Sequence, residues 1–238
     1  MENRSVEKQF KIFNRIGAIS VFIALLVMLS EIFLTLLPDG ARVELTIEQL
    51  YEIYNRNWFM AMRNMGLMNI FASTLMIPVF FSLYLVHREQ WTPLAAFSLI
   101  VSLISYGIFM ADNVAFPFLE LAGKFHEAGS ETSRTILLAA GESLFAKGAS
   151  HTPGTFPGFF LGQLAGILFS VLIIKGRIFR KATGIIGLIA FAFLLLFEFV
   201  SSFVGALYEE ALILAMIGGI LALVWYVMIG LGLLKQSR

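Results

Sequence analysis

The chain has 238 residues, of which 58% are hydrophobic and 14% are charged. Soluble globular domains average roughly 45–50% apolar and 25% charged residues, so this composition argues against a soluble domain and indicates contact with a lipid bilayer. The net charge is +1 and the basic residues cluster beside apolar runs, which argues against nucleic acid as a partner. The chain contains no cysteine, which excludes disulfides, thiolate metal ligands and cysteine nucleophiles.

Six apolar runs approach or exceed the roughly 20 residues that a membrane-spanning helix needs. They cover residues 16–37, 58–86, 93–110, 156–174, 182–204 and 212–234, and the apolar part of the second run begins near Leu67. Continuous rather than alternating runs favour helices over barrel strands. The sequence therefore predicts an all-α polytopic membrane bundle with six transmembrane helices, formed by a single integral membrane domain, residues 1–238.

The distribution of lysine and arginine predicts the orientation of the spans. Eleven of the 17 basic residues fall on the side that would carry both termini, and six fall on the other side. Because cytoplasmic loops are enriched in lysine and arginine, we expect a cytoplasmic-membrane protein with both termini in the cytoplasm.

Two connections on the predicted outer side are more than short linkers. Residues 46–56 place Ile47, Leu50, Tyr51 and Tyr54 on one helical face, and Thr46 begins a capping-box pattern, which predicts an interfacial helix. Residues 111–155 combine an amphipathic stretch with a turn-rich one and are too long for an idle loop. We expect these residues to form an extracytoplasmic helical cap.

The fourth span contains two overlapping G-x-x-x-G patterns, formed by Gly158, Gly162 and Gly166. Such glycines allow the backbones of two membrane helices to approach closely. The partner helix could belong to the same chain, to a second copy in a homo-oligomer or to another membrane protein.

Ionisable residues interrupt the apolar runs near their predicted outer ends. Glu31, Arg63 and Glu198 each lie about 8–9 Å below the outer end of their span, at 1.5 Å per residue. Asp112 and Asn113 follow the third span, and Asn69 lies just below Arg63. These six residues are therefore expected to converge on one outer-leaflet cluster.

The cluster would set three carboxylates against one nearby cation, Arg63. One hypothesis is a site that binds or moves a proton, a small ion or a polar solute, because ionisable residues within a membrane are functional candidates. The alternative is a structural tie between helices, in a non-catalytic partner or sensor subunit that docks through the glycine face. No cofactor is indicated by the sequence.

An enzyme is the less favoured interpretation. His126, Glu127, Glu142 and His151 provide metal-ligand residue types on the outer side, but without the H-E-x-x-H spacing that places two histidines on one helix face. An intramembrane metal-dependent hydrolase would need such a set, and no metal or catalytic residues can be assigned.

Several segments resemble a known family. They include the polar entry RNMGLMN to the second span, TSRTILLAAGESLFA in the outer segment, the glycine-rich fourth span, the basic turn KGRIFRKATGIIG and the closing VWYVMIGLGLL. Their order resembles the bacterial multi-pass membrane proteins of domain-of-unknown-function family 4386, and LLAAGE, Leu137 to Glu142, is the most specific element. The resemblance implies a helical protein of the bacterial or archaeal cytoplasmic membrane and implies no activity.

Overall fold

The structure is a computed structural model that describes residues 2–35, 37 and 45–238. All regular elements in these residues are helical, which confirms the all-α prediction for them. The helices are α1 (Glu2–Thr35), α2 (Ile47–Arg56), α3 (Trp58–Asn64), α4 (Leu67–Ala111), α5 (Ala115–Glu127), α6 (Glu131–Gly148), α7 (Phe156–Gly176), α8 (Lys181–Phe203) and α9 (Tyr208–Gln236), with a 3-10 turn (Gly205–Leu207) before α9.

Five helical stretches in the described residues are long and apolar enough to cross a membrane. They are Glu7–Thr35, Leu67–Glu127, Phe156–Gly176, Lys181–Phe203 and Gly205–Gln236, and the second comprises α4 followed by α5. Large apolar side chains point away from the protein on these helices; Leu26, Met216 and Ile220 are 67%, 66% and 62% exposed. These are the features of a multi-pass membrane protein.

α4 folds back on itself at Trp91, whose backbone is not helical (φ −139°, ψ 46°). Pro93 has no N–H to continue the helix at this point, which favours the break. A straight helix of 45 residues would be about 68 Å long. Asn113 nevertheless donates a hydrogen bond to the carbonyl oxygen of Gly66 (2.8 Å), so the two ends of α4 meet. The two arms, residues 67–90 and 92–111, are therefore antiparallel.

The predicted second span, 58–86, differs from the structure at its start. Trp58–Asn64 form the separate helix α3, and Gly66 turns the chain with a φ of 92° before α4 begins at Leu67. Such a φ lies in the left-handed region that favours glycine. Of the predicted first span, 16–37, residue 36 lies outside the described residues, and α1 ends at Thr35.

The five long helices form a closed ring, which we call the bundle. Around the ring, α1 packs on α4, α4 on α7, α7 on α8, α8 on α9 and α9 on α1. Phe80, Phe169, Phe191 and Trp225 lie buried in its core, with centroid distances of 5.0 Å for Phe80–Phe169 and for Phe191–Trp225. This aromatic group fills the middle of the bundle.

The shorter helices α2, α3, α5 and α6 form a second unit with its own apolar core, which we call the cap. The predicted capping box at Thr46 is confirmed, because the Gln49 N–H donates to Thr46 Oγ1 (3.2 Å) and the Thr46 N–H donates to Gln49 Oε1 (2.9 Å). The predicted apolar face of α2 is buried against the other cap helices. This unit therefore contains α2 and α3 as well as α5 and α6, and only the latter two come from the segment 111–155.

Candidate binding site between the cap and the bundle

Arg63 connects the cap to the first helix of the bundle. Its side chain lies in the last turn of α3, is only 2% exposed, and has Nε 3.2 Å from Oε2 of Glu31 in α1. Nη2 donates to the carbonyl oxygen of Glu31 (2.6 Å) and to the hydroxyl of Thr35, and Nη1 donates to Oδ1 of Asn64 (2.8 Å). The planar guanidinium thus contacts a carboxylate and several neutral oxygens at once, which suits a buried arginine.

Asp112 and Asn113 hold the end of α4 against the cap. Oδ1 of Asp112 lies 3.4 Å from Nζ of Lys147 in α6. Asn113 donates from Nδ2 to the carbonyl oxygen of Gly66, and its Oδ1 accepts the N–H of Ala115 (3.1 Å) at the start of α5. Both residues therefore fix the junction where the two ends of α4 meet.

Glu198 is paired with His151 and not with Arg63. Its carboxylate in α8 is 1% exposed, with Oε2 2.7 Å from Nδ1 of His151, and the Ser202 hydroxyl donates to Oε1 (3.4 Å). His151 lies between α6 and α7 with a φ of 62°, and its ring packs between Phe159 and Phe197 at centroid distances of 4.6 and 4.8 Å. This contact is a second tie between the cap side and the bundle.

The structure thus divides the predicted cluster into three separate pairs. The sequence interpretation set three carboxylates against Arg63 alone, whereas Asp112 and Glu198 have Lys147 and His151 as partners. The expectation that Arg63 would be the basic partner of all three acids is therefore wrong for Asp112 and Glu198. Lys147 and His151 were missed as partners because both lie in the long connection 111–155, whose path the hydropathy pattern does not specify.

A cavity of about 580 Å³ lies between the cap and the bundle. It is bounded by α2, α3 and α6, by the segment after α6, and by the chain around the junction of α8 and α9. Its polar lining residues are Asn64, Ser150, His151, Thr152, Ser201, Tyr208 and Glu209. Because Asn64 binds Arg63 and His151 binds Glu198, the two ties flank this cavity.

A small cavity, which we call the constriction, adjoins this one. It shares Met65, Gly148 and Ser150 with the first cavity, and its volume of about 20 Å³ is enough for roughly one water molecule. Among the predicted site residues, Asn69, Asp112, Asn113 and Gly158 line it. These residues therefore lie beside the cap cavity, at the junction where the two ends of α4 meet.

A third cavity of about 170 Å³, which we call the inner cavity, is lined by residues of all five long helices. It shares Asn69, Phe109, Gly158 and Phe159 with the constriction. Its polar lining residues are Asn69, Ser73, Ser105, Tyr106, Gln163 and Tyr226, and none of its lining residues is charged.

The glycine pattern of α7 packs within the chain. A Cβ at Gly158 would lie 3.2 Å from the Phe109 ring, and one at Gly162 would lie 3.0 Å from Oγ of Ser105. A Cβ at Gly166 would lie 2.4 Å from the ring of Phe191 in α8. The expected close approach is present, and its partners are the second arm of α4 and α8. These glycines therefore contact other helices of the same chain.

The residues that could act as metal ligands, His126, Glu127, Glu142 and His151, do not form a common site. Among the described residues, no group of three or more histidine, aspartate or glutamate side chains is placed to hold a metal ion. His126 instead lies against α2, with Nε2 3.2 Å from the carbonyl oxygen of Tyr51 and Nδ1 4.0 Å from Glu52. This part of the structure gives no support to a metal-dependent hydrolase.

No family model, curated protein or solved structure matches the chain. The resemblance to domain-of-unknown-function family 4386 stays a prediction, and function has to be argued from the geometry of the chain itself.

Proposed function

We propose that this chain is a six-span protein of the cytoplasmic membrane that binds a small polar solute beneath its cap and admits it to the bundle interior. The observation that carries the proposal is the succession of three cavities with shared lining residues, of about 580, 20 and 170 Å³. Polar groups in an apolar interior cost free energy unless they are hydrogen-bonded, so a polar inner cavity favours a binding role over a purely structural one.

The lining favours a neutral, hydrogen-bonding solute over a bare cation. The acids Glu31, Asp112 and Glu198 are paired with Arg63, Lys147 and His151, and the cap cavity has one further lining acid, Glu209. The inner cavity presents only amide and hydroxyl groups among its polar side chains. These groups both donate and accept hydrogen bonds, and so can replace the water around a small polar molecule.

The antiparallel arms of α4 support the count of six spans. Arms of 24 and 20 residues would be about 36 and 30 Å long, and the hydrocarbon core is about 30 Å thick. Six spans put both termini on one side, and the lysine and arginine distribution makes that side cytoplasmic and the cap extracytoplasmic. This topology agrees with membership of domain-of-unknown-function family 4386, which we also propose.

The natural absence of cysteine allows a direct test of this route. Single variants Ser150→Cys, at the constriction, and Ser73→Cys, in the inner cavity, would be treated in intact cells with a small membrane-impermeant thiol reagent. Ser98→Cys is the matched control, because Ser98 is completely buried and lines none of the three cavities. We expect rapid labelling at position 150, slower labelling at position 73 and none at position 98.

Two results would contradict the proposal. If the cysteines at positions 73 and 98 are equally resistant to labelling by the thiol reagent, the inner cavity is closed to solutes from the cap side. Labelling of position 150 only in inverted vesicles would place the cap in the cytoplasm. Normal expression and detergent extraction of each variant establish that the comparison is made on folded protein.

A further inference from the structure

The end of the bundle opposite the cap contains two cavities with strongly basic linings. The larger, which we call the basic pocket, has a volume of about 660 Å³ and is lined by Trp91, Ile174, Lys175, Arg177, Phe179 and Lys181. A smaller cavity of about 290 Å³ lies on the other side of Phe179 and includes Arg180 and Lys235. The chain from Lys175 to Lys181, around the turn between α7 and α8, supplies four of the five cations that line the two cavities.

The positive charge of these cavities is not neutralised within the described chain. No acidic residue lines either cavity. None of the five cations forms an ion pair with a described carboxylate, whereas Lys11, Lys124 and Lys147 do. A concave surface lined by one sign of charge concentrates ions of the opposite sign.

The basic pocket combines this charge with an apolar wall. Nζ of Lys175 lies 5.1 Å from the ring centre of Trp91, a cation–π distance that holds the ammonium over the indole. Arg177 ends α7 at a φ of 55°, where glycine is the usual residue. Its guanidinium offers the planar donor geometry that matches phosphate oxygens.

We propose that the basic pocket binds a phosphate group, presented either by the headgroup of an anionic phospholipid or by a soluble phosphate compound. Lys175, Arg177 and Lys181 contact the phosphate oxygens, and Trp91, Ile174 and Phe179 pack against the adjoining carbon atoms. The pocket lies at the end of the long helices, where a phospholipid headgroup and the first part of its acyl chains would meet both surfaces. Basic pockets between membrane helices commonly bind anionic lipids at such positions.

The test compares the wild-type chain with two triple variants that each lose three positive charges. The pocket variant carries Lys175→Gln, Arg177→Gln and Lys181→Gln. The control variant carries Lys8→Gln, Arg15→Gln and Arg238→Gln, which removes three exposed cations that line neither basic cavity. Native mass spectrometry would count the phosphatidylglycerol molecules retained by each protein against an excess of phosphatidylcholine.

We expect the wild-type protein and the control variant to retain phosphatidylglycerol selectively. The pocket variant should bind it on the order of 100-fold more weakly, because it lacks the three cations that contact the phosphate directly, at about fivefold for each, whereas the control variant keeps all three. Where the triple variant does not fold, the single variants Lys175→Gln and Lys181→Gln should each show a several-fold loss.

A second experiment identifies the source of the phosphate. Inorganic phosphate would be added to the wild-type protein in phosphatidylcholine nanodiscs, and thermal unfolding would be followed. Stabilisation by inorganic phosphate that the pocket variants lose would assign the site to a soluble phosphate compound. An equal loss of phosphatidylglycerol in the pocket and control variants, or no response to either phosphate source, would overturn the proposal.

Discussion

The bundle and the cap are both helical, but their cores are stabilised by different chemistry. In the bundle, polar side chains such as Ser98 and Ser170 donate to carbonyl oxygens of their own helix, at 2.7 Å in both cases. In the cap, Tyr51 and Tyr54 donate to the carbonyl oxygens of Leu137 (3.0 Å) and Ala115 (2.9 Å), which lie on other helices. Most hydroxyls of the bundle donate within their own helix in this way, although Ser82 and Ser105 donate to the carbonyl oxygens of Phe13 (3.1 Å) and Gly158 (2.9 Å) on neighbouring helices. The two buried tyrosines of the cap core, in contrast, both join different helices.

This difference follows from the surroundings that each region must tolerate. No water reaches a helix within the hydrocarbon core, so its polar groups must be hydrogen-bonded within the protein. Close packing then holds the helices together. The cap helices are short, and short helices are marginally stable without tertiary contacts. The cap side and the bundle meet at the Glu31–Arg63 and Glu198–His151 contacts. At this boundary, charged side chains from different helices depend on one another for their partners.

The largest expected effect comes from separating the two regions at Arg63. Arg63→Met leaves Glu31 partly buried without its cation, and breaking a buried ion pair costs about 3–5 kcal/mol. Because the Glu31 side chain is 27% exposed, we expect a loss of unfolding free energy near the lower limit. Thermal unfolding of the purified protein and limited proteolysis of the cap would measure it.

Two variants control this prediction. Adding Glu31→Leu to Arg63→Met should recover part of the stability, since no charge is then left unpaired. Lys124→Met removes an exposed pair with Glu120, whose side chains are 58% and 68% exposed, and should cost less than about 1 kcal/mol. Equal effects of Arg63→Met and Lys124→Met would mean that Arg63 does not hold the cap on the bundle.

A smaller effect is expected within the bundle at Gly166. In Gly166→Ala the new Cβ would lie 2.4 Å from the ring of Phe191, and overpacking of this kind costs about 1–3 kcal/mol. Gly219→Ala is the matched control, because nothing lies within 4 Å of its Cβ position. Thermal unfolding should show a lower melting temperature for Gly166→Ala only, and similar values for both variants would contradict the packing described for α7 and α8.

The smallest effect concerns the cap and is confined to alkaline pH. Burial, together with the charge of Glu142, raises the pKa of Tyr51 from 10.0 to about 12, and burial raises that of Tyr54 as well. The unfolded chain therefore loses these protons first as the pH rises. The resulting stabilisation is fully present below pH 10 and is lost as the pH approaches 12.

Hydrogen exchange measured across this pH interval should show α2 and α6 opening before the bundle helices. The double variant Tyr51→Phe and Tyr54→Phe has no phenol to ionise at these positions, so its cap should respond less to pH despite being less stable at neutral pH. Simultaneous opening of the cap and the bundle in the wild-type protein would show that the two cores unfold as one unit.

The sequence by itself determined the features that depend on neighbouring residues. Hydropathy predicted the long helices, and the break at Trp91 lies between the predicted spans 58–86 and 93–110. The capping box at Thr46 and the buried face of α2 follow from residues three and four positions apart. A helix closes its hydrogen bonds over four residues, so local patterns are sufficient to specify it.

Tertiary structure decided which helices and side chains meet. Arg63 binds Glu31 across 32 positions in sequence, and His151 binds Glu198 across 47. The sequence predicted an acidic cluster around one arginine, but the fold of residues 111–155 brought Lys147 and His151 to two of the acids. Helix formation depends on residues that are close in sequence. The partner of a buried charge depends instead on the path of every connection between the two residues, and the hydropathy pattern does not specify that path.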